Sequence, residues 1–227
     1  MVGLVSRLAR RLVTEVRTRL GPEPEWRTRK RIVDQQFDAL HGVDTGGITH
    51  LKDLRLNNER WRDGVDHIAA DPAEFAAAIE ALEVDLSTYT FIDLGSGKGR
   101  ALLLAFDYPF QEIIGVEFAE PLVQAARANF EKIGASRDVS RVRILHADAL
   151  EFDLPNVPTI LFLYNPFESP IMQGVATRTR ASLMAIPRDL IVLYLNPFHL
   201  DVWLQAGFEL AIRGPHFAVI KPAMPQM

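Results

Sequence analysis

The chain has 227 residues, 25 of them lysine or arginine and 29 aspartate or glutamate, for a net charge of −4. That length suits one large domain or one domain with an appendage, and the residue mix is that of a globular protein. Cysteine is absent, which excludes disulfides, thiolate metal sites and any cysteine nucleophile. The charge is unevenly spread, because residues 1–31 hold nine arginines and lysines against Glu15, Glu23 and Glu25. The rest of the chain is therefore strongly acidic, which argues against broad binding to a phosphate backbone and makes nucleic acid an unlikely partner on charge alone.

In chain order, Val5, Leu8, Leu12, Val16 and Leu20 recur at steps of three or four among arginines, which predicts a basic amphipathic helix closed by Gly21-Pro22. Such a helix packs on the domain or on a partner chain, or lies peripherally on an anionic membrane. Arginines interrupt every apolar run, so the segment does not read as a secretory signal. No stretch approaches the roughly 18 apolar residues that a membrane span needs, and a cytoplasmic protein is expected. A second helix is predicted from about Trp26 to Leu40, ending at HGVDTGG, His41 to Gly47. Residues 48–71 read as polar and irregular, and Pro72 then opens a short alanine-rich helix.

From Tyr89 the pattern becomes regular. TFIDL, EIIGVEF, RVRILHA, PTILFLY and DLIVLYL read as buried strands, separated by helices over residues 100–106, 121–133 and 171–184. Strands apolar on both faces that alternate with helices predict a parallel sheet covered on both sides. After a short helix over residues 200–206 the ending differs. FELAIR and HFAVIK are joined by Gly214-Pro215, too short for a parallel return, so they must run antiparallel. The expected fold is α/β, a seven-stranded Rossmann-like sheet of five parallel strands plus a terminal antiparallel hairpin. Residues 1–71 would form a helical extension and possible lid, and residues 72–227 the functional domain.

The first strand breaks into glycines: FIDLGSGKGR, Phe91 to Arg100. The phosphate-binding P-loop fails here, because Gly99 stands where its hydroxyl residue belongs. The dinucleotide fingerprint fails as well, because Arg100 occupies its third glycine position, although by one residue only. What fits is D-x-G-x-G-x-G, with Asp93, Gly95, Gly97 and Gly99 in place. On this motif the chain resembles the class I S-adenosylmethionine-dependent methyltransferases, over about Tyr89 to Pro222.

The resemblance implies that Gly95, Ser96, Gly97 and Gly99 wrap the amino-acid part of S-adenosyl-L-methionine and that Asp93 serves its ammonium. Glu117 ends the second strand in register with the glycine loop, where the family's acid accepts the ribose hydroxyls; Phe118 would flank the adenine. Asp148 and the Ala149 backbone match the positions that meet the adenine amino group. Tyr164, Asn165, Pro166 and Phe167, LYNPF, stand where the fourth strand leaves the sheet, at the mouth of such a site. They resemble the N-P-P-Y/F type of motif of amine-directed methyltransferases, with one proline where that motif has two. In those enzymes the asparagine holds the acceptor nitrogen and an aromatic face shields the methyl, so Asn165, Tyr164 and Phe167 are the candidate catalytic residues. Asn196-Pro197-Phe198 repeats the tripeptide one strand later, as a candidate wall of the acceptor pocket.

DLGSGKGR and ILFLYNPF are also similar to segments of the histone-lysine methyltransferases that lack a SET domain. FDALHGVDTGG, GVEF and LNPFH together look like a group of bacterial methyltransferases without an assigned substrate. By that likeness HGVDTGG is a lid, with Thr45 to Gly47 lending backbone amides to the cofactor. The expected activity is methyl transfer to an amine of a protein lysine or a small metabolite. The alternatives are a non-catalytic S-adenosylmethionine-binding regulatory module and a nucleotide-dependent oxidoreductase. His50 and His199 lie nearest the predicted mouth as candidate bases. His41, His67, His146 and His216 have no ligand spacing, and no metal is expected.

Overall fold

The computed structural model describes residues 24–54 and 64–223. The basic helix expected over residues 5–20 lies outside them. The first described element is α1 (Glu25–His41), which stops at Gly42, where a left-handed φ of 68° turns the chain and the glycine N–H donates to the Asp38 carbonyl. The stretch expected to be irregular contains a small antiparallel ladder, β1 (Ile48–Thr49) against β2 (His67–Ile68), and a 3₁₀ turn over Leu51–Asp53. Two-residue strands carry no periodicity, which is why the sequence pattern missed them. Helix α2 (Pro72–Glu80) is capped by the Asp71 side chain, which accepts from the Ala73 and Glu74 amides, with proline in the first turn.

The main sheet begins at β3 (Thr90–Leu94), followed by α3 (Arg100–Ala105), β4 (Glu112–Glu117), α4 (Glu120–Gly134) and β5 (Val142–His146). Then come β6 (Thr159–Tyr164), α5 (Ser169–Ala185), β7 (Leu190–Leu195), α6 (Leu200–Gln205), β8 (Phe208–Arg213) and β9 (Phe217–Pro222). The strand order is β5-β4-β3-β6-β7-β9-β8. The first five are parallel, and β9 enters antiparallel between β7 and β8. The expected parallel sheet and terminal hairpin are both present.

Successive residues of β3, β6 and β7 feed opposite cores. Phe91, Ile160, Phe162 and Leu193 pack under α2 and α3, whereas Ile92, Leu161, Leu163 and Val192 pack under α5 and α6 with Met172 and Trp203. Full burial of side chains this size contributes about 1.5–3 kcal/mol each, which fixes the register of the central strands. Phe37 of α1 and Val43 share the first of these cores, so the extension and the sheet are packed together. At the far edge β8 is exposed beyond Phe208, and an irregularity between Leu210 and Ile212 breaks its ladder, as edge strands commonly do.

The chain winds from β3 outward to β5, then crosses to β6 on the other side of β3. Open α/β sheets bind ligands at the carboxyl ends of strands where the winding reverses. That point is the glycine loop after β3. No described helix is long and apolar enough to cross a membrane.

Candidate cofactor and acceptor site

The loop from Leu94 to Arg100 is built by left-handed glycines, with φ of 82° at Gly95 and 53° at Gly97. The space their side chains would fill is taken by other parts of the protein. A Cβ on Gly95 would lie 2.5 Å from Pro166 Cβ, and one on Gly97 would lie 2.2 Å from His67 Nδ1. At Gly99 the nearest atom is Ala126 Cβ of α4, so this glycine serves helix packing. Sequence reasoning assigned all three to a close-approaching ligand. Gly95 and Gly97 line a hollow, and Gly99 is not among its lining residues.

Asp93, Gly95, Ser96, Gly97, Glu117, Phe118, Tyr164, Asn165 and Phe167 all line that hollow. Asp148 and Ala149 line an adjoining one, which shares Gly95, Phe118 and Phe167 with it. The Asp148 carboxylate accepts from the Leu150 amide at 2.8 Å.

Glu117 is 4% exposed, and its carboxylate spans the gap between two strands. One oxygen accepts from the Gly97 amide at 2.9 Å and the other from Ala119 at 2.8 Å. Burial nevertheless pushes its pKa up, against those amides and that of Phe118. Asp93, equally enclosed, is held well above the usual carboxylate range by burial and then by the Glu117 charge. Asp93 and Glu117 thus line one recess together with Ser96, whose buried Oγ has no hydrogen-bond partner among the described residues.

The segment ahead of the sheet closes over this loop. Asn129 of α4 donates from Nδ2 to the carbonyls of Asp44 (2.9 Å) and Lys98 (3.1 Å), while its Oδ1 accepts from the Asp44 amide. Lys98 Nζ reaches Asp44 Oδ1 at 3.0 Å and the Gly46 carbonyl at 3.1 Å. Arg100 is 1% exposed; it donates from Nε to Thr45 Oγ1 and from Nη2 to Asp38 Oδ1 at 3.1 Å, with Asp34 Oδ1 3.3 Å from Nη1.

This wiring corrects the expectation that the Thr45–Gly47 amides are lent to a cofactor. The Thr45 and Gly46 amides donate to Asp38 and the Gly47 amide to Asp34, so these amides are engaged inside the protein. Although burial opposes it, the hydrogen bonds from Thr45 and Gly46 hold the Asp38 pKa below its ordinary value. Sequence reasoning missed Arg100, Asn129 and the two aspartates as a unit. One signal was present: Asp34 and Asp38 are four apart on a predicted helix, hence on one face, and a cation must meet them when that face is buried.

The candidate histidines also change. His50 pairs with Asp66 at 2.6 Å on an exposed ladder end, and His199 precedes α6; neither lines the hollow. His67, set aside from sequence, does line it. Its strand crosses the mouth: Val65 donates to the Pro166 carbonyl at 3.1 Å, and Gly64 bridges Phe167. Asn196 and Phe198 line the same hollow from the end of β7. Among the described residues no group of three or more His, Asp or Glu could hold a metal ion.

No family model and no curated protein matches the chain in sequence. Solved structures match its fold. A S-adenosylmethionine-dependent O-methyltransferase from Thermotoga maritima is 16% identical over 70% of this chain and 68% of that one, with a TM-score of 0.52. An RNA methyltransferase from Salinibacter ruber in complex with S-adenosyl-L-homocysteine is 21% identical, over 70% and 95%, with a TM-score of 0.50. A predicted N6-adenine-specific DNA methylase from Listeria monocytogenes str. 4b F2365 is 12% identical, over 69% and 52%, with a TM-score of 0.53.

The chain spans about half the length of the Listeria methylase, 52%. What they share with it is the fold: the Rossmann-like sheet of the S-adenosylmethionine-dependent methyltransferases. The antiparallel β9 also separates it from the all-parallel order of the dinucleotide-binding fold. Two of the three are named for RNA or DNA, so the fold lends no support to ranking nucleic acid last; the acidic body is the sole argument for that.

Proposed function

We propose that the protein is a methyltransferase that uses S-adenosyl-L-methionine, and that its acceptor is an amine of a protein lysine or small metabolite. The observation that carries the cofactor reading is Glu117. Its carboxylate reaches the Gly97 amide from the next strand, 20 residues away in sequence, and both line one recess. An acid at that place can accept two ribose hydroxyls, each oxygen keeping a lone pair beyond its backbone bond. Asp93 suits an ammonium, since a cation beside it relieves its repulsion with Glu117. Phe118, Asp148 and Ala149 would meet the adenine across the adjoining hollow. When bound, S-adenosyl-L-methionine supplies an electrophilic methyl on a cationic sulfur.

The contribution of the chain is to orient and to exclude water, which is where most of the acceleration of such a transfer arises. Tyr164, Asn165 and Phe167 form the acceptor wall in this reading. The amine assignment is supported by likeness of LYNPF to amine-directed motifs and by the charge around it. The Tyr164 hydroxyl is pushed up to about 12 by burial, then by the charges of Glu74, Asp71 and Asp34. Acidic side chains near that wall favour the approach of a basic acceptor, which must shed its proton before it can take the methyl.

Calorimetry with S-adenosyl-L-homocysteine is the direct test: micromolar binding is expected, lost by about two orders of magnitude in Glu117→Ala, with the melting transition followed to check folding. Wild-type protein that ignores the ligand would refute the reading. Cell lysate given methyl-labelled cofactor and this protein then ranks acceptors. Label confined to nucleic acid would overturn the amine assignment, and absence of any turnover would leave the regulatory module in its place.

A further inference from the structure

The three glycines of the loop leave one observation unexplained by packing alone. Pro166 and Ala126 are apolar neighbours for Gly95 and Gly99, but the group against Gly97 is an imidazole that also lines the recess. His67 is placed by the β1–β2 ladder, in which it pairs with Thr49, and its strand is tied to the end of β6 through Val65 and Gly64.

One ring nitrogen has a defined role. Nε2 lies 3.2 Å from the Thr45 carbonyl, which can only accept, so Nε2 carries the proton. Thr45 is itself held by Asp38 and Arg100, so the imidazole is braced from behind. The ring stays neutral: burial, with the charges of Lys98 and Lys30, pulls its pKa down to about 4 against the Thr45 bond. Nδ1 therefore keeps its lone pair, at the edge of the ring that faces Gly97, and it takes no hydrogen bond from the described residues.

We propose that His67 is a cofactor-contacting residue, whose Nδ1 accepts a hydrogen bond from the α-ammonium of the ligand's amino-acid end, sharing that cation with Asp93. The inference rests on the cofactor reading above and deepens it. An acceptor nitrogen and a buried carboxyl on one recess form a site for a primary ammonium and reject a ligand that lacks one. Among the described residues the cations nearest that recess are engaged elsewhere. Arg100 lines it, but its Nε and Nη2 donate to Thr45 and Asp38 and its Nη1 lies 3.3 Å from Asp34 Oδ1, and Lys98 is turned to Asp44 and Gly46.

The test compares S-adenosyl-L-homocysteine with 5′-deoxy-5′-methylthioadenosine, which keeps the adenosine and sulfur but lacks the amino-acid end. Two full-length variants separate the ring nitrogens. His67→Asn sets an amide oxygen near the place of Nδ1, whereas His67→Gln reaches the place of Nε2. Calorimetry is expected to show S-adenosyl-L-homocysteine weakened about tenfold in His67→Gln and held within about threefold in His67→Asn, as for a hydrogen bond to a charged group. The truncated ligand is expected to change by less than about twofold in either variant.

The reverse ranking, with Gln tolerated and Asn not, would mean that only the Thr45 brace matters and would overturn the proposal. Equal losses for both ligands would do the same. Tighter binding by either variant would show that the ring stands in the ligand's place. Wild-type protein that binds neither ligand would remove the cofactor reading itself, a result distinct from all of these.

Discussion

Strands β6 and β7 end in the same tripeptide, and the two copies come to different ends. Asn165 and Asn196 both adopt left-handed backbone, with φ of 44° and 47°. Each precedes a proline, a setting that already disfavours helical backbone. Each asparagine is met by the tyrosine of the other strand. Tyr194 donates its hydroxyl proton to Asn165 Oδ1 at 2.9 Å, and the Asn196 side chain stands near the Tyr164 hydroxyl, where it opposes the rise of the phenol's pKa. From there they part. Phe167 is 5% exposed and Phe198 is 77% exposed. The difference comes from what packs on each turn. Pro166 rests on Gly95, and the segment leading into β2, with Gly64 and Val65, bonds across Pro166 and Phe167. The tripeptide sets the backbone, and its neighbours decide whether the aromatic becomes core or surface. Strain of this kind, about 1–3 kcal/mol for each residue, clusters at functional sites, and both strained residues stand on the rim of one hollow.

The comparison is broken most severely at Gly95, because the first turn leans on it. In Gly95→Ala the new Cβ would stand 2.5 Å from Pro166 at a φ of 82°. Backbone strain and overpacking then add, and a loss of about 3 kcal/mol or more is expected. Urea denaturation with an unchanged m-value would measure it. A loss under 1 kcal/mol would mean that Pro166 moves freely and that the two turns are equivalent after all.

Next in size is the aromatic pair itself. Phe167→Ala removes a buried side chain and should cost about 3–5 kcal/mol. Phe198→Ala removes an exposed one and should stay within about 0.5 kcal/mol. Because Phe198 lines the hollow, its loss is expected to appear in turnover with an acceptor while stability is kept. Similar unfolding costs for the two would contradict the division between core and surface copies.

How much of this was legible in the chain follows from the same contrast. Alternation of apolar strands and helices exposed the sheet, since burial on both faces leaves a pattern in every strand of it. The register of Glu117 with the glycine loop was legible too, because β3 and β4 are adjacent and parallel and their ends fall level, Leu94 opposite Val116. The occupants of the glycine spaces were not. Pro166, His67 and Ala126 approach from a distant strand end, a two-residue strand and another helix, and nothing local announces a contact across such separations. His67 is not legible in the sequence, because a histidine without ligand spacing carries no signal of its own. The engagement of the Thr45–Gly47 amides by Asp34 and Asp38 was hidden for a like reason: a loop with paired glycines reads the same whether its amides face a ligand or a helix.

The smallest effect belongs to the crossed tyrosines, and it sharpens the comparison most finely. Tyr194 is fully buried, and its hydroxyl accepts from the His199 amide at 3.4 Å while donating to Asn165. Removing that hydroxyl in Tyr194→Phe takes a partner from both the Asn165 side-chain oxygen and the His199 amide, at a cost of about 1–2 kcal/mol. The Tyr164 hydroxyl lies on the hollow, where water can replace it at Asn196, so Tyr164→Phe should cost roughly 0.5 kcal/mol or less. Burial pushes both phenols up to about 12. Neither ionises below about pH 10, and the two losses should be flat from pH 5 to 9 in denaturation experiments. If Tyr164→Phe proved as costly as Tyr194→Phe, the two turns would be held equally from below. The exposure of Phe198 would then need a cause other than the missing strand.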